Sequence, residues 1–351
     1  MGLIFSAAEI LERSKGLTFD DVLLMPRHSE MNSRRSPQLD SRVTKNHTLK
    51  TPIISANMDT VTESAMAIKM AELGGLGILH RFMTPEEQVR QVKLSAATVR
   101  PLGLPVAASI GVKEDGMKRA DLLADAGVDI LTIDIAHGDS VMMFETLSYV
   151  KKKYPKIDVI AGNTAMPDGV RRLIDHGADA VKVGIGPGSM CTTRIITGCG
   201  VPQLTAVAMC VLEAKKSGIP VIADGGIKTS GDIVKAFAAG AQTVMLGSML
   251  SGCLETPGEI EGGRKRYRGM ASKDAQVSWR GELPKGMAAE GEARWVPCKG
   301  SVENIVHELC GGVRSGMTYV NANTIAEINA NARFMEMTAS GMQESKPHGL
   351  L

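Results

Sequence analysis

The segment from Ala180 to Arg194 reads AVKVGIGPGSMCTTR and joins a short apolar run to a glycine-rich loop. Three glycines alternate with other residues over 184–188, and Ser189 follows them. Glycine allows sharp turns and a close approach of the backbone to a ligand. Cys191 lies just beyond, and the thiolate of cysteine is intrinsically nucleophilic. The segment therefore predicts a buried strand that leads into an anion-binding loop and a candidate nucleophile.

Eight short apolar runs of this kind recur along the chain, separated by helical patterns. Continuous apolar character is typical of strands that are buried on both faces of a parallel sheet. Eight strands alternating with helices predict an α/β fold of the TIM (β/α)8 barrel type, with a doubly wound sheet as the alternative. The predicted strands are Pro52–Ala56, Leu76–His80, Val106–Ile110, Ile130–Ala136, Val159–Asn163, Ala180–Ile185, Val221–Asp224 and Thr243–Gly247.

After the eighth predicted strand, a segment rich in glycine and charged residues covers about residues 250–300. A long irregular segment beside an active site is often a mobile lid, and a surface insertion is the alternative. We predict one barrel domain over residues 1–351, with the lid inserted after strand eight and a catalytic loop over about 184–205.

The ends of the last two predicted strands carry candidate binding residues. Asp224 is followed by two glycines, and Gly247 by Ser248. Barrel enzymes frequently bind phosphate at this position, with backbone N–H groups as donors. Ser189 can add a hydroxyl, and the Asp224 carboxylate can accept hydrogen bonds from ribose hydroxyls. The spacing Gly-x-Gly-x-Gly is not the Rossmann fingerprint, so a dinucleotide would bind in another way.

The composition narrows the class of protein. Forty basic and 38 acidic side chains give a formal charge of +2, which offers no electrostatic reason to expect a nucleic-acid partner. No apolar run reaches the roughly 18 residues that a membrane span needs. The six cysteines contain no Cys-x-x-Cys pair, so we expect reduced thiols in a cytoplasmic protein. The basic run 264–268 is either a solvated loop or an attractor for a phosphorylated substrate.

Several blocks match one known family in the family's order. Gly184–Arg194, followed by Gly200–Thr205, closely resembles the signature of the IMP dehydrogenase/GMP reductase family. The likeness extends over almost the whole chain through Leu17–Leu24, Ala56–Val61, Ile222–Ile227, Tyr267–Met270 and Gly311–Ser315. The resemblance implies a TIM barrel, usually a homotetramer, that acts on a purine nucleotide monophosphate with a nicotinamide cofactor.

The resemblance also implies roles for individual residues. Cys191 attacks purine C2, and Thr193 and Glu290 complete the catalytic set. The implied substrate-binding residues are Ser189, Asp224, Gly226, Gly247, Ser248, Tyr267, Gly269 and Met270. The implied cofactor-binding residues are Asp134, Asn163 and Gly184. The backbone carbonyls of Gly186, Gly188 and Cys191 match positions that hold a monovalent cation, commonly potassium.

Two reactions occur in this family, and the lid favours one of them. Between Met270 and Glu290 the chain is short, as in the reductases, and it lacks the Arg-Tyr pair of the dehydrogenase lid. The chain also lacks the CBS module pair that most dehydrogenases insert before the third strand. We therefore predict an NADPH-dependent GMP reductase that forms IMP and ammonia.

Other features resemble the dehydrogenases and keep alternatives open. Val201 and the tail Ser340–His348 are similar to that branch, and Arg280 is a candidate for the base that activates water. The first alternative is thus a CBS-less IMP dehydrogenase that forms XMP with NAD. A barrel that only binds nucleotide is the second, although the intact Cys191, Thr193 and Glu290 argue against it.

Overall fold

The computed structural model describes residues 3–283 and 285–347 of the chain. Four short strands precede the barrel: β1 (Ile4–Phe5), β2 (Val22–Leu24), β3 (Ser41–Arg42) and β4 (Thr48–Leu49). The barrel strands are β5 (Ile53–Ser55), β6 (Leu76–Leu79), β7 (Ala107–Ile110), β8 (Ile130–Asp134), β9 (Asp158–Thr164), β10 (Ala180–Val183), β11 (Val221–Asp224) and β12 (Thr243–Leu246). All neighbours pair in parallel, and β12 pairs with β5, which closes the sheet.

The closed barrel confirms the predicted TIM fold and excludes the doubly wound sheet. Each predicted strand overlaps one barrel strand. The helices are α1 (Ser64–Glu72), α2 (Pro85–Val99), α3 (Lys113–Asp125), α4 (Val141–Lys153), α5 (Pro167–Asp175), α6 (Thr193–Thr197), α7 (Gln203–Ala214), α8 (Ser230–Ala238), α9 (Lys273–Arg280), α10 (Val302–Tyr319), α11 (Ile325–Asn331) and α12 (Ala339–Glu344). No helix in the described ranges has both the length and the apolar character that crossing a membrane requires.

Local sequence explains where the helices begin. Before α2, the Thr84 side chain accepts a hydrogen bond from the Glu87 amide, and Pro85 occupies the first turn. Before α8, Thr229 and Asp232 form a reciprocal capping box. These caps fix the loops between strand and helix, which in a TIM barrel carry the functional residues.

The amino-terminal end of the barrel is closed by the hairpin of β3 and β4. Val43 and Leu49 belong to the apolar cluster that fills the barrel interior. The buried Asp158 holds the hairpin through hydrogen bonds from Thr44 Oγ1 (2.6 Å) and Asn46 Nδ2 (2.7 Å) and an ion pair with His47 (3.0 Å). Burial alone would raise the pKa of Asp158, but these partners lower it well below its usual range. Any ligand therefore has to enter at the opposite end.

The segment after β12 is more regular than its composition predicts. Strands β13 (Arg264–Arg268) and β14 (Ala293–Pro297) form an antiparallel ribbon, with α9 between them. The expectation of an irregular segment over 250–300 is therefore wrong for these stretches. The last strand, β15 (Phe334–Glu336), pairs with both β1 and β2. Parts of the predicted 1–351 domain, among them His348 of the tail, lie outside the described residues.

Candidate active site

A cavity of about 580 Å³ opens at the carboxyl ends of the barrel strands. It is lined from the amino-terminal segment, the strand-end loops and the segment between β13 and β14. With the exception of Arg280, the residues that the sequence singled out for catalysis, substrate, cofactor or cation binding line this cavity: Asp134, Asn163, Gly184, Gly186, Gly188, Ser189, Cys191, Thr193, Asp224, Gly226, Gly247, Ser248, Tyr267, Gly269, Met270 and Glu290. The fold thus brings together residues that lie up to 156 positions apart, between Asp134 and Glu290.

The candidate nucleophile is the first member of a hydrogen-bonded chain. Cys191 Sγ donates to Thr193 Oγ1 over 3.1 Å, and Thr193 Oγ1 donates to Glu290 Oε2 over 2.7 Å. Backbone contacts hold the two segments together, because the Thr192 amide donates to the Glu290 carbonyl (3.1 Å) and Cys191 forms an antiparallel bridge with Gly291. A base next to a nucleophile, reached through a hydroxyl, is an arrangement that can move the thiol proton.

One glycine of the catalytic loop is required by packing. A Cβ atom on Gly184 would lie 2.0 Å from the carbonyl oxygen of Asp224. Real Cβ atoms do not approach a carbonyl oxygen so closely, so only glycine allows β10 to end against the end of β11. The close approach sets the start of the loop that carries Cys191.

Hydroxyl groups gather where phosphate binding is predicted. Ser189 Oγ and Tyr267 Oη lie 3.3 Å apart, and a Cβ on Gly247 would lie 3.0 Å from Tyr267 Oη. Gly225 and Gly226 have φ values of 93° and 79°, which only glycine adopts readily. Burial raises the pKa of Tyr267, so its hydroxyl stays protonated and can donate to an anion.

A buried ion network forms the floor of the cavity. Lys182 Nζ contacts Asp134 Oδ1 (3.1 Å), Asp224 Oδ2 (2.6 Å) and Asn163 Oδ1 (2.5 Å). Asn57 Nδ2 donates to Asp134 Oδ2 over 2.7 Å. Burial alone would raise the pKa of Asp134, but Lys182 and Asn57 lower it. Burial alone would lower the pKa of Lys182, but the two carboxylates raise it, so Lys182 and Asp134 form a charged pair at neutral pH.

Sequence reasoning assigned no function to Lys182, Arg81 or Gln203, although all three line the cavity. A lysine inside an apolar strand was the available signal for Lys182, because a buried charge needs partners. Gln203 Nε2 donates to the carbonyls of Val183 (2.9 Å) and Asp224 (3.1 Å), which ties α7 to two strand ends. Its local sequence gives no hint of those distant acceptors.

The segment between β13 and β14 packs on the loop after β6. The ring of Trp279 on α9 stacks on Phe82 with centroids 5.8 Å apart, and the Arg119 guanidinium lies 5.9 Å from the Trp279 ring. The segment supplies Gly269, Met270, Ala271, Gln276 and Glu290 to the cavity. Arg280 is exposed and does not line it.

The basic run 264–268 fits neither of its two interpretations. Lys265 is buried and donates to the carbonyls of Leu254 (3.1 Å) and Thr256 (2.6 Å). Arg268 pairs with Asp59 over 2.6 Å. Of this run only Tyr267 lines the cavity, so none of its cations faces the substrate site; Lys265 and Arg268 hold the ribbon in place, and Arg264 is exposed.

Among the described residues, side chains of the types that bind metal ions do not form a cluster. Within residues 3–283 and 285–347, no three His, Cys, Asp or Glu side chains cluster closely enough to hold a metal ion. The backbone carbonyls of Gly186, Gly188 and Cys191 are a different kind of metal ligand, because carbonyl oxygens suit a hard cation. The Gly188 carbonyl accepts a hydrogen bond from the Cys191 amide over 3.0 Å, so the loop is already folded around this group.

A family model described as the IMP dehydrogenase / GMP reductase domain matches residues 16–348. The chain belongs to the IMP dehydrogenase/GMP reductase family. This confirms the resemblance seen in the sequence and makes the chain a member of a family of purine nucleotide oxidoreductases that use a nicotinamide cofactor.

Relatives carry both names. An inosine-5'-monophosphate dehydrogenase of Cryptosporidium parvum is 43% identical over 384 residues, which cover 95% of each chain. A GMP reductase of Leishmania donovani is 35% identical over 479 residues, which cover 96% of this chain and 97% of the relative. A solved structure of a GMP reductase variant from Trypanosoma brucei, in complex with guanosine 5'-monophosphate, has a TM-score of 0.90 and 33% identity and covers 98% of this chain and 100% of that chain.

The lack of an internal insertion does not distinguish reductases from dehydrogenases, so the missing CBS module pair does not favour a reductase. The Leishmania alignment, at 479 residues, is longer than this chain of 351, so that GMP reductase has internal residues with no counterpart here. The alignment with the Cryptosporidium dehydrogenase is much shorter, at 384 residues, so that dehydrogenase has far fewer residues without a counterpart here. The lid between Met270 and Glu290 is therefore the feature that bears on which of the two reactions this chain performs.

Proposed function

We propose that this chain is a GMP reductase, which converts GMP to IMP and ammonia with NADPH through a covalent adduct of Cys191 at purine C2. One observation carries the proposal: the segment between β13 and β14 delivers the Glu290 carboxylate to Thr193, but its arginine, Arg280, stays outside the cavity. Release of ammonia needs a group that returns a proton to the leaving amine. Hydrolysis of the adduct would instead need a base that activates water.

The proton from Cys191 passes through Thr193 to Glu290 in this proposal, along contacts of 3.1 and 2.7 Å. The thiolate then adds to purine C2, and the same proton moves to the 2-amino group, which leaves as ammonia. A bound nicotinamide cofactor would supply the hydride that takes its place at C2. The C–S bond breaks, IMP leaves, and a proton from solvent restores the Cys191 thiol. One hydride and one proton are consumed for each GMP.

The residues of the cavity fit both ligands. Ribose hydroxyls donate to carboxylates, and Asp224 and Asp134 line the cavity at the ends of two different strands. We assign Asp224 to the nucleotide ribose, and Ser189, Gly226, Gly247, Ser248 and Tyr267 to its phosphate. We assign Gly269, Met270 and Glu290 to the purine base. Asp134, Asn163 and Gly184 would face the cofactor.

An IMP dehydrogenase remains the second candidate, favoured by one specific observation. The Cryptosporidium relative, which is 43% identical, carries that name. In this case α9 would have to move so that Arg280 reaches the adduct. Loss of the Phe82–Trp279 stack, 5.8 Å between centroids, would accompany such a movement.

A paired assay separates the two reactions. The purified protein receives GMP with NADPH in one reaction and IMP with NAD in the other, and NADPH loss, ammonia and XMP are measured. We expect NADPH loss matched by ammonia in the first and no XMP in the second. XMP formation without any GMP turnover would reject the reductase.

Two further features of the family are proposed for this chain. A monovalent cation, with potassium the expected ion, would be held by the carbonyls of Gly186, Gly188 and Cys191, next to the nucleophile. Turnover should then be higher in potassium than in lithium at equal ionic strength. The chain should form a homotetramer, which light scattering on a sizing column measures directly.

A further inference from the structure

Lys182 occupies the barrel interior directly beneath the cavity. Ala180, two residues earlier on β10, belongs to the interior cluster, and alternation along a strand places Lys182 on the same face. Its side chain is only 2% exposed. A Cβ on Gly162 of β9 would lie 2.7 Å from Lys182 Cβ, so a glycine on the neighbouring strand leaves the room that this lysine needs.

The ammonium of Lys182 has no donor left for a ligand. It carries three N–H groups, and three acceptors surround it: Asp134 Oδ1, Asp224 Oδ2 and Asn163 Oδ1. Asn163 Nδ2 in turn donates to Asp224 Oδ2 over 3.0 Å. None of the hydrogen bonds among the described residues uses Asp224 Oδ1, which is therefore the oxygen that a ligand hydroxyl can reach. Lys182 thus orients groups that bind instead of binding itself.

Lys182 is the cation in contact with both carboxylates, and the more distant Arg81 adds a positive charge that acts on Asp134. Asp134 ends β8 and Asp224 ends β11, and their side chains are 25% and 22% exposed to the cavity. Carboxylates that share a site repel each other, and one of the pair takes up a proton when no cation compensates them. Removal of one partner from a buried ion pair is strongly unfavourable for the same reason.

We propose that Lys182 is a positioning residue that couples the two halves of the cavity, by holding the Asp134 and Asp224 carboxylates in place and compensating their charge at the same time. Without it, nucleotide binding at Asp224 comes to depend on the charge of Asp134, a residue assigned to the other half. The inference rests on the proposed function only in placing the nucleotide at Asp224 and the cofactor at Asp134.

Calorimetric titration with GMP and with IMP, in the absence of cofactor, tests this coupling. In Lys182→Met we expect the Kd of both nucleotides to rise at least about tenfold, because Asp224 is left beside the Asp134 carboxylate with no cation in contact with either. In Lys182→Met with Asp134→Asn, the competing carboxylate is gone, and we expect a Kd within about threefold of that of Asp134→Asn alone. If Lys182 only fills space, removal of the Asp134 carboxylate cannot restore nucleotide binding in Lys182→Met.

Lys265 provides a matched control. It is a lysine of similar burial, 3% exposed, whose ammonium contacts the carbonyls of Cys253, Leu254 and Thr256 and does not line the cavity. Lys265→Met is expected to lower thermal stability, and adding Asp134→Asn should restore nothing. Restoration in the Lys265 background as well would overturn the proposal.

Two other results would also overturn it: nucleotide affinity in Lys182→Met equal to wild type, or a double variant that binds as weakly as Lys182→Met. If Lys182→Met alone does not fold, recovery of a cooperative melt on adding Asp134→Asn supports the coupling, and failure of both variants to fold contradicts it. The test does not depend on the direction of the reaction, because both nucleotides are titrated. A dehydrogenase would change the proposed function but not this result.

Discussion

Replacement of Glu290 by Gln tests whether the carboxylate moves a proton or only holds Thr193. The hydrogen bond from Thr193 Oγ1 to Glu290 Oε2 is 2.7 Å long, and a glutamine oxygen can still accept it. A hydrogen bond to a charged group contributes about 1 kcal/mol more than one to a neutral group, so a purely positional role predicts a loss of about fivefold. Loss of a general acid–base group instead lowers the rate about 10²- to 10⁴-fold.

We expect the larger loss, at least about 10² in kcat with GMP and NADPH. The assay follows NADPH oxidation and ammonia together, and titration with GMP checks that binding is retained. Glu292→Gln is the matched control, because this exposed carboxylate lies two residues further on and, among the residues that the structure describes, pairs only with Arg294, at 3.3 Å. A decrease of less than about tenfold in Glu290→Gln, or an equal loss in Glu292→Gln, would refute the proton-relay reasoning.

Three further outcomes are expected. Cys191→Ser should reduce GMP turnover by more than about 10³-fold, since a serine hydroxyl is far less readily ionised, and turnover near wild type would exclude the thiol as nucleophile. Arg280→Ala should leave GMP turnover within about twofold of wild type, because Arg280 does not line the cavity, whereas in a dehydrogenase it should trap an adduct that mass spectrometry detects. Asp158→Asn should cost about 2–3 kcal/mol in the free energy of unfolding at neutral pH. The folded state lowers the pKa of Asp158, so its stabilisation is complete above the unfolded pKa of about 3.9 and is lost as the pH falls below it. Urea melts of both proteins should therefore converge in acid, and a constant difference would contradict this.

The barrel could be predicted from the sequence because its strands are buried on both faces. The run Val221–Asp224 is apolar up to its last residue, a pattern that is visible in four consecutive residues, and the structure places a strand over the same residues. The catalytic loop could be predicted because two of its positions depend on residue type: Gly184, where a side chain would clash with the end of β11, and Cys191, whose thiol is the candidate nucleophile. Both the strands and the catalytic loop are therefore indicated by a few consecutive residues each.

The parts that were missed depend on distant partners. Lys182 is held by residues from three other strands, so nothing near it in sequence predicts a shared ion pair. The run 264–268 has the composition of a solvated loop, yet Lys265 is satisfied by carbonyls of residues about ten positions earlier. Four of its five residues are cations, but the ribbon buries Lys265 and pairs Arg268 with Asp59, while Arg264 stays exposed away from the cavity.

The base of the segment between β13 and β14 is closed by its own backbone. The Gly269 amide donates to the Glu292 carbonyl, the Glu290 amide donates to the Ala271 carbonyl, and Ser272 forms a bridge with Gly291. Residues between these closures can change in number or kind with little effect on where Glu290 lies, because longer loops add only a small entropic cost. A change confined to this segment can therefore alter the groups that reach the reacting carbon while Cys191 and the nucleotide site keep their positions.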